Sequence, residues 1–251
     1  MGNVVLSEIG QPLSLVTYVA MGVMVLLGAA MQGVGGLGYA MFCAPLAAIF
    51  FPQLVPGPLL AVGAPLALLA YLRERQSVDF SVASAALLGR ILGTAMAAAL
   101  MLYVPADTMA LFFAALIVVA VVLSCAGWKV RPTTANLSLA GLLSGVMGTI
   151  TSAGGPPFAI AMQQLAPSVV RATLGVVFFA GTIVSLGALA WTGQMQATHW
   201  IYSALLMPWM LGGFACSSFL ARHVTRQQIR LFLLGTALVS ACIIFYRTLA
   251  L

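Results

Sequence analysis

Charge is almost missing from this chain. Of its 251 residues only 6% are Asp, Glu, Lys or Arg, and only four are acidic. A soluble domain carries about 25%. Without that polar shell, a chain that is 63% hydrophobic has no means of covering its apolar surface in water. It is therefore expected to be an all-α polytopic membrane protein. Reactive side chains are scarce too. Cys43, Cys125, Cys216 and Cys242 all sit in apolar runs, lack metal-ligand spacing and read as small core hydrophobes. There are no paired acids within spans, no His cluster and no Ser–His spacing, which speaks against an intramembrane enzyme. Neither a metal nor a cofactor is called for. The N-terminus has no basic region and Glu8 precedes the first span. No cleavable signal peptide is expected, so the first apolar segment serves as the insertion signal and stays.

What the chain does have is long apolar segments, with a mean hydropathy of +1.12. Its net charge of +6 comes from arginines and one lysine that sit mostly in loops. No cluster is dense enough for nucleic acid, and the lipid bilayer is the expected surroundings. Apolar segments run from about Leu13 to Met31, Tyr39 to Phe51, Pro58 to Leu72, Phe80 to Leu102 and Met109 to Ala126. After Lys129-Val130-Arg131-Pro132 they resume at Leu137 to Ile150, Phe158 to Leu165, Pro167 to Trp191, Thr198 to Leu220 and Ile229 to Thr248. Asp79 or Ser81 is positioned to cap one of these helices, and Thr225 with Gln228 resembles a capping box.

Two breaks organise the pattern: Gln32-Gly33-Val34-Gly35-Gly36-Leu37-Gly38 and Thr151-Ser152-Ala153-Gly154-Gly155-Pro156-Pro157. Glycine and proline at lipid depth free backbone groups that hydrocarbon cannot satisfy, so such breaks are buried in protein or line a cavity. Aligning Gly35-Gly36 with Gly154-Gly155, an offset of 119 residues, also pairs Asp79 with Thr198 and Gly93 with Gly212. Two transmembrane repeats follow: 1–128, then a cytoplasmic linker at 129–135, then 136–251. An odd number of segments in each inverts the second relative to the first. With both termini outside and roughly ten crossings, Arg73, Arg75, Lys129, Arg131, Arg171, Arg222, Arg226 and Arg230 all fall inside, a positive-inside pattern. The charges do not separate full spans from re-entrant hairpins at the breaks, so the count is about 8–10 segments.

Interrupted segments in corresponding halves are the pointer to a transporter's substrate site. The two breaks are expected to face each other and cradle a small anion, held by helix-start N–H groups after Gly36 and Gly155. Gln32, Thr149, Thr151 and Ser152 add neutral donors around Gly33, Gly35, Gly154 and Pro156. The alternative, that these glycines serve only close helix packing, stays open. Arg90 lies deep in a span, where an ionisable side chain faces a cavity or a partner. It either raises the potential for an anion or pairs with a neighbour. Arg171 reads as a helix-start residue, and His199 beside Trp200 as an interfacial anchor.

The breaks, with Arg171-Ala172-Thr173, resemble the TauE/SafE family of sulfite exporters. Gly33-Val34-Gly35-Gly36-Leu37 is similar to that family's Gly-x-Gly-Gly-Gly, with Leu37 in place of the last glycine. Ser152-Ala153-Gly154-Gly155-Pro156-Pro157 is similar to its Gly-x-Gly-Gly-Pro-Pro, with Ser152 in place of the first. The resemblance implies export of sulfite or organosulfonates across a bacterial-type inner membrane, with Arg171 in play as a gate. None of Glu8, Glu74, Asp79 and Asp107 lies deep in a span, so a voltage-driven uniporter fits better than proton coupling. The competing reading is an accessory membrane protein that binds a partner and moves nothing, or a permease for another anion. A homodimer is left open.

Overall fold

The structure, a computed structural model, describes residues 14–104 and 130–223, with isolated positions in 112–122 and 228–236. The expected segments Met109 to Ala126 and Ile229 to Thr248, the Thr225 capping box, Glu8 and Asp107 lie largely or wholly outside the described residues. Among the described residues there are helices and no strands. They are α1 (Leu15–Gly35), α2 (Tyr39–Phe50), α3 (Gly57–Glu74), α4 (Phe80–Tyr103), α5 (Thr134–Thr151), α6 (Pro156–Ala161), α7 (Pro167–Trp191) and α8 (Ala197–His223). Of these, α1, α4, α7 and α8 are long and apolar enough to cross a membrane. At 1.5 Å per residue, the 21 residues of α1 extend about 31 Å, the thickness of a hydrocarbon core.

Helix starts follow local chemistry. Ser14 Oγ accepts from Thr17 N at 3.1 Å, Asp79 Oδ1 from Ser81 N at 3.0 Å and Thr133 Oγ1 from Asn136 N at 3.3 Å. Asp79 is therefore the cap of α4, and α5 begins at Thr134, ahead of the expected Leu137. The charged stretch after Leu72 is helical through Glu74 and then continues as a three-ten turn, Arg75–Ser77.

Two bundles form. The first core joins Met21, Val25 and Ala29 of α1, Phe42 and Cys43 of α2, Leu59 and Leu66 of α3, and Leu206 and Met210 of α8. The second joins Val82 and Ala86 of α4, Leu137 of α5, Phe158 of α6, and Leu174 and Val177 of α7. Each bundle thus takes three helices from one half of the chain and one from the other. Helices α4 and α5 run parallel, so close that a Cβ on Gly89, Gly93, Gly141 or Gly145 would strike the facing backbone at Ser138, Leu142, Ala86 or Arg90. Lipid gives helices no hydrophobic reason to associate, and such small-residue seams supply close van der Waals contact instead. Helices α1 and α8 are also parallel, with Tyr18 Oη donating to Leu205 O, Gly22 against Trp209 and Gly213 against Leu26. The bundles meet where α3 runs antiparallel to α7, with Gly175 against Tyr71 and Glu74 beside Arg171.

Candidate functional site

Each break is a helix end turned by a left-handed residue. Helix α1 does not stop at Gln32; it runs through Gly35 and is capped by Gly36 at φ 77°. Helix α5 is capped by Ser152 at φ 62°. Glycine adopts this conformation freely, whereas an L-residue is strained by about 1–2 kcal/mol. Ser152 recovers part of that through its hydroxyl, which donates to Pro56 O at 2.9 Å. This accounts for a glycine in the motif that Ser152 departs from.

The breaks lie toward opposite ends of the protein. Gly36 packs on the Arg171 backbone and side chain at the start of α7, while Ser152 reaches Pro56 at the start of α3. What comes together is the chain just after each break: a Cβ on Gly155 would touch Met41 at 3.2 Å and Leu37 at 3.4 Å. Beside this contact lies a cavity of about 50 Å³, room for a few waters or a small oxyanion. Its walls come from both bundles. Gln32, Gly38, Tyr39, Leu60 and Gly63 face Arg90, Ser152, Gly154, Phe178 and Thr182.

Arg90 is 2% exposed and supplies the cavity's charge. Its Nη1 donates to Ser144 Oγ at 2.6 Å, and its guanidinium carbon sits 5.2 Å from the Phe178 ring centre. Its Nε is buried without a hydrogen-bond partner. No carboxylate pairs with it among the described residues: Glu74 is held by Arg171, and Asp79 caps α4. Burying an unpaired charge costs several kcal/mol. Glycines make room for it. A Cβ on Gly181 would strike Arg90 Nε and Cδ, and one on Gly154 would come within 2.8 Å of Arg90 Nη1 and of Ser144. Next to it three buried hydroxyls tie α4, α5 and α7 together: Thr149 Oγ1 lies 3.2 Å from Thr94 Oγ1 and 2.9 Å from Ser185 Oγ.

The remaining expected residues fall in several places. Gln32, Ser152, Gly154 and Gly155 line the cavity with Arg90; Gly33, Gly35, Gly36, Thr151 and Pro156 do not. Gln32 Oε1 accepts from Gly38 N at 2.8 Å and Tyr39 N at 3.1 Å, filling the first amides of α2. Thr151 is turned on its own backbone, donating to Met147 O and accepting from Ala153 N. By contrast, no turn or cap hydrogen bond among the described residues uses the N–H of Gly154 or Gly155. Gly33 packs on Ser217, where Arg73 donates to Gly33 O, Phe214 O and Ser217 Oγ and so clamps the end of α1 to α8. Arg171 pairs with Glu74 at 2.6 Å, one-fifth exposed. His199 Nδ1 accepts from Gln196 N in the turn before α8. Tyr39, Ser144, Phe178, Gly181 and Thr182 carried no mark in the sequence, because apolar helices bring them to the site from distant positions.

A helical membrane protein whose two bundles both line a charged, partly apolar cavity has the architecture of a transporter of small solutes. The model of the family described as "Sulfite exporter TauE/SafE" matches residues 20–244. The chain belongs to that family of multi-pass membrane transporters. No curated protein matches the chain, and no solved structure does.

Proposed function

We propose that this chain exports a small sulfur oxyanion such as sulfite, held in the cavity by Arg90 and the backbone of Gly154 and Gly155, as a voltage-driven uniporter in a bacterial-type inner membrane. The observation that carries this reading is Arg90: a buried guanidinium on a cavity wall, with no carboxylate against it among the described residues. Its counter-charge is then the passing anion. The family's description names sulfite, and the cavity's size and sign fit a small oxyanion.

The two halves, 1–128 and 136–251, are inverted repeats about an axis in the membrane plane. In support, α1 with α8 and α4 with α5 are parallel pairs that each join one half to the other, and α3 lies antiparallel to α7. Such an axis also explains why one break sits near Arg171 and the other near Pro56. Arg73, Arg75 and Arg171 gather at one end, which is the cytoplasmic face by the positive-inside rule. Both termini are then periplasmic, and the Glu74–Arg171 pair stands at the inner mouth as a gate.

The membrane potential is worth about 2.3 kcal/mol per charge per 100 mV, roughly fifty-fold in concentration. A negative interior therefore expels the anion without a coupled proton. Sulfite efflux from proteoliposomes under an imposed potassium-diffusion potential tests this. Flux is expected to follow voltage; flux that ignores voltage and follows an imposed pH gradient overturns the uniport reading.

A further inference from the structure

Among the described residues, three buried side-chain polar atoms lack a hydrogen-bond partner: Tyr39 Oη, Glu74 Oε2 and Arg90 Nε. The Glu74 atom belongs to a carboxylate whose other oxygen already serves Arg171. The other two belong to residues that line the same cavity from different bundles. Buried polar groups in native proteins are nearly always partnered, so each orphan needs a reason.

Tyr39 is held firmly. It is 3% exposed, and its amide donates to Gln32 Oε1. Its ring lies between α1 and α3: a Cβ on Gly28 would sit 3.3 Å from Cδ2, and one on Gly63 would sit 3.4 Å from Cε1. If packing alone mattered, phenylalanine would fill this place and leave no hydroxyl stranded. We infer that Tyr39 is a substrate-binding residue, its O–H donating to one oxygen of the anion whose charge Arg90 meets from the opposite bundle. This rests on the transport reading above. Two donors on two walls suit a ligand with at least two acceptor atoms. In this assignment an oxyanion gives each donor its own oxygen, while a halide sits with the Arg90 charge. Binding then also links the two bundles, which is what a transported ligand must do to bias their arrangement.

The test uses purified full-length protein as wild type, Tyr39→Phe and Arg90→Met, with sulfite and chloride as the probes. Melting temperature is read first without ligand, then across a titration of each. Tyr39→Phe is expected to melt at or above the wild-type temperature without ligand, because it deletes an unpartnered hydroxyl. Its apparent Kd for sulfite is expected to rise about tenfold, the worth of one good hydrogen bond, with chloride unaffected. A Tyr39→Phe protein that keeps wild-type sulfite affinity and selectivity, while Arg90→Met loses both, overturns the role of the hydroxyl and leaves the transport reading standing. Wild type that binds neither anion overturns the transport reading and this inference with it. Independently, wild type labelled at the tyrosine ring carbon that bears oxygen should show one signal that moves with sulfite and not with chloride; no such movement counts against a bound hydroxyl.

Discussion

Replacing Arg90 by methionine separates binding from folding more cleanly than any other change. The methionine keeps the apolar stem and deletes the guanidinium. In the empty protein this removes a buried charge that has no carboxylate partner among the described residues, and also its 2.6 Å hydrogen bond to Ser144. The first change is favourable by several kcal/mol. The second, with the lost contact to Phe178, costs about 1.5–3 kcal/mol for a bond to a charged group. The two nearly offset, so the variant should melt within a few degrees of wild type. With an anion present the signs agree. At about 4 Å and an effective dielectric near 20, a unit charge pair is worth about 4 kcal/mol. Even half of that survives as roughly thirtyfold in affinity. Sulfite flux into proteoliposomes at sub-saturating concentration should fall thirtyfold or more. Arg90→Lys should recover part of it, because the charge returns without the planar fork. An Arg90→Met protein that folds and moves sulfite at the wild-type rate would refute the reasoning.

Other outcomes follow from the same geometry. Gly154→Ala places a Cβ within 2.8 Å of Arg90 Nη1 and the Ser144 carbonyl, so it should cut flux at least tenfold while leaving helix content in circular dichroism intact. Gly141→Ala acts on the α4–α5 seam instead; its Cβ meets the Ala86 carbonyl, and the melting temperature should drop by an amount equivalent to about 1–3 kcal/mol. Ser152→Gly relieves a strained φ but loses the bond to Pro56 O, so its stability should stay within about 1 kcal/mol of wild type, whereas Ser152→Val keeps the strain, loses the bond and should be clearly less stable. Glu74→Gln weakens a partly exposed ion pair worth about 1 kcal/mol or less, so the melting temperature should barely change; if the pair gates the inner mouth, transport rate should shift while sulfite Kd does not.

Much of the fold was legible because membrane helices announce themselves by length and apolarity. The starts of α4 and α7 fell where Asp79 and Pro167 placed them. Break positions were less exact. Helical hydrogen bonding carries α1 through Gly33 and Gly35 despite the poor helix propensity of glycine, with Gly33 packed on Ser217. The two left-handed caps, Gly36 and Ser152, are 116 residues apart (152 minus 36), three fewer than the glycine-pair alignment implied. A serine in a left-handed turn leaves no glycine for a sequence pattern to align on. Arg90 stood out because an arginine in mid-span has few innocent explanations. Gln32 has a second task that the sequence did not reveal: its carbonyl accepts from the amides of Gly38 and Tyr39. Tyr39, Phe178 and Thr182 were invisible, since nothing in an apolar run distinguishes the side chain that meets a cavity from its neighbours that meet lipid.

Selenite, the selenium congener of sulfite, offers the most direct view of where the anion sits. Crystals grown with selenite and measured at the selenium absorption edge should show one anomalous peak between the bundles, within hydrogen-bonding reach of the Arg90 guanidinium and beside Gly154 and Gly155. The peak should vanish in Arg90→Met crystals. Selenium found only at the protein surface, in a protein shown to carry selenite across a membrane, would contradict a central site built on Arg90.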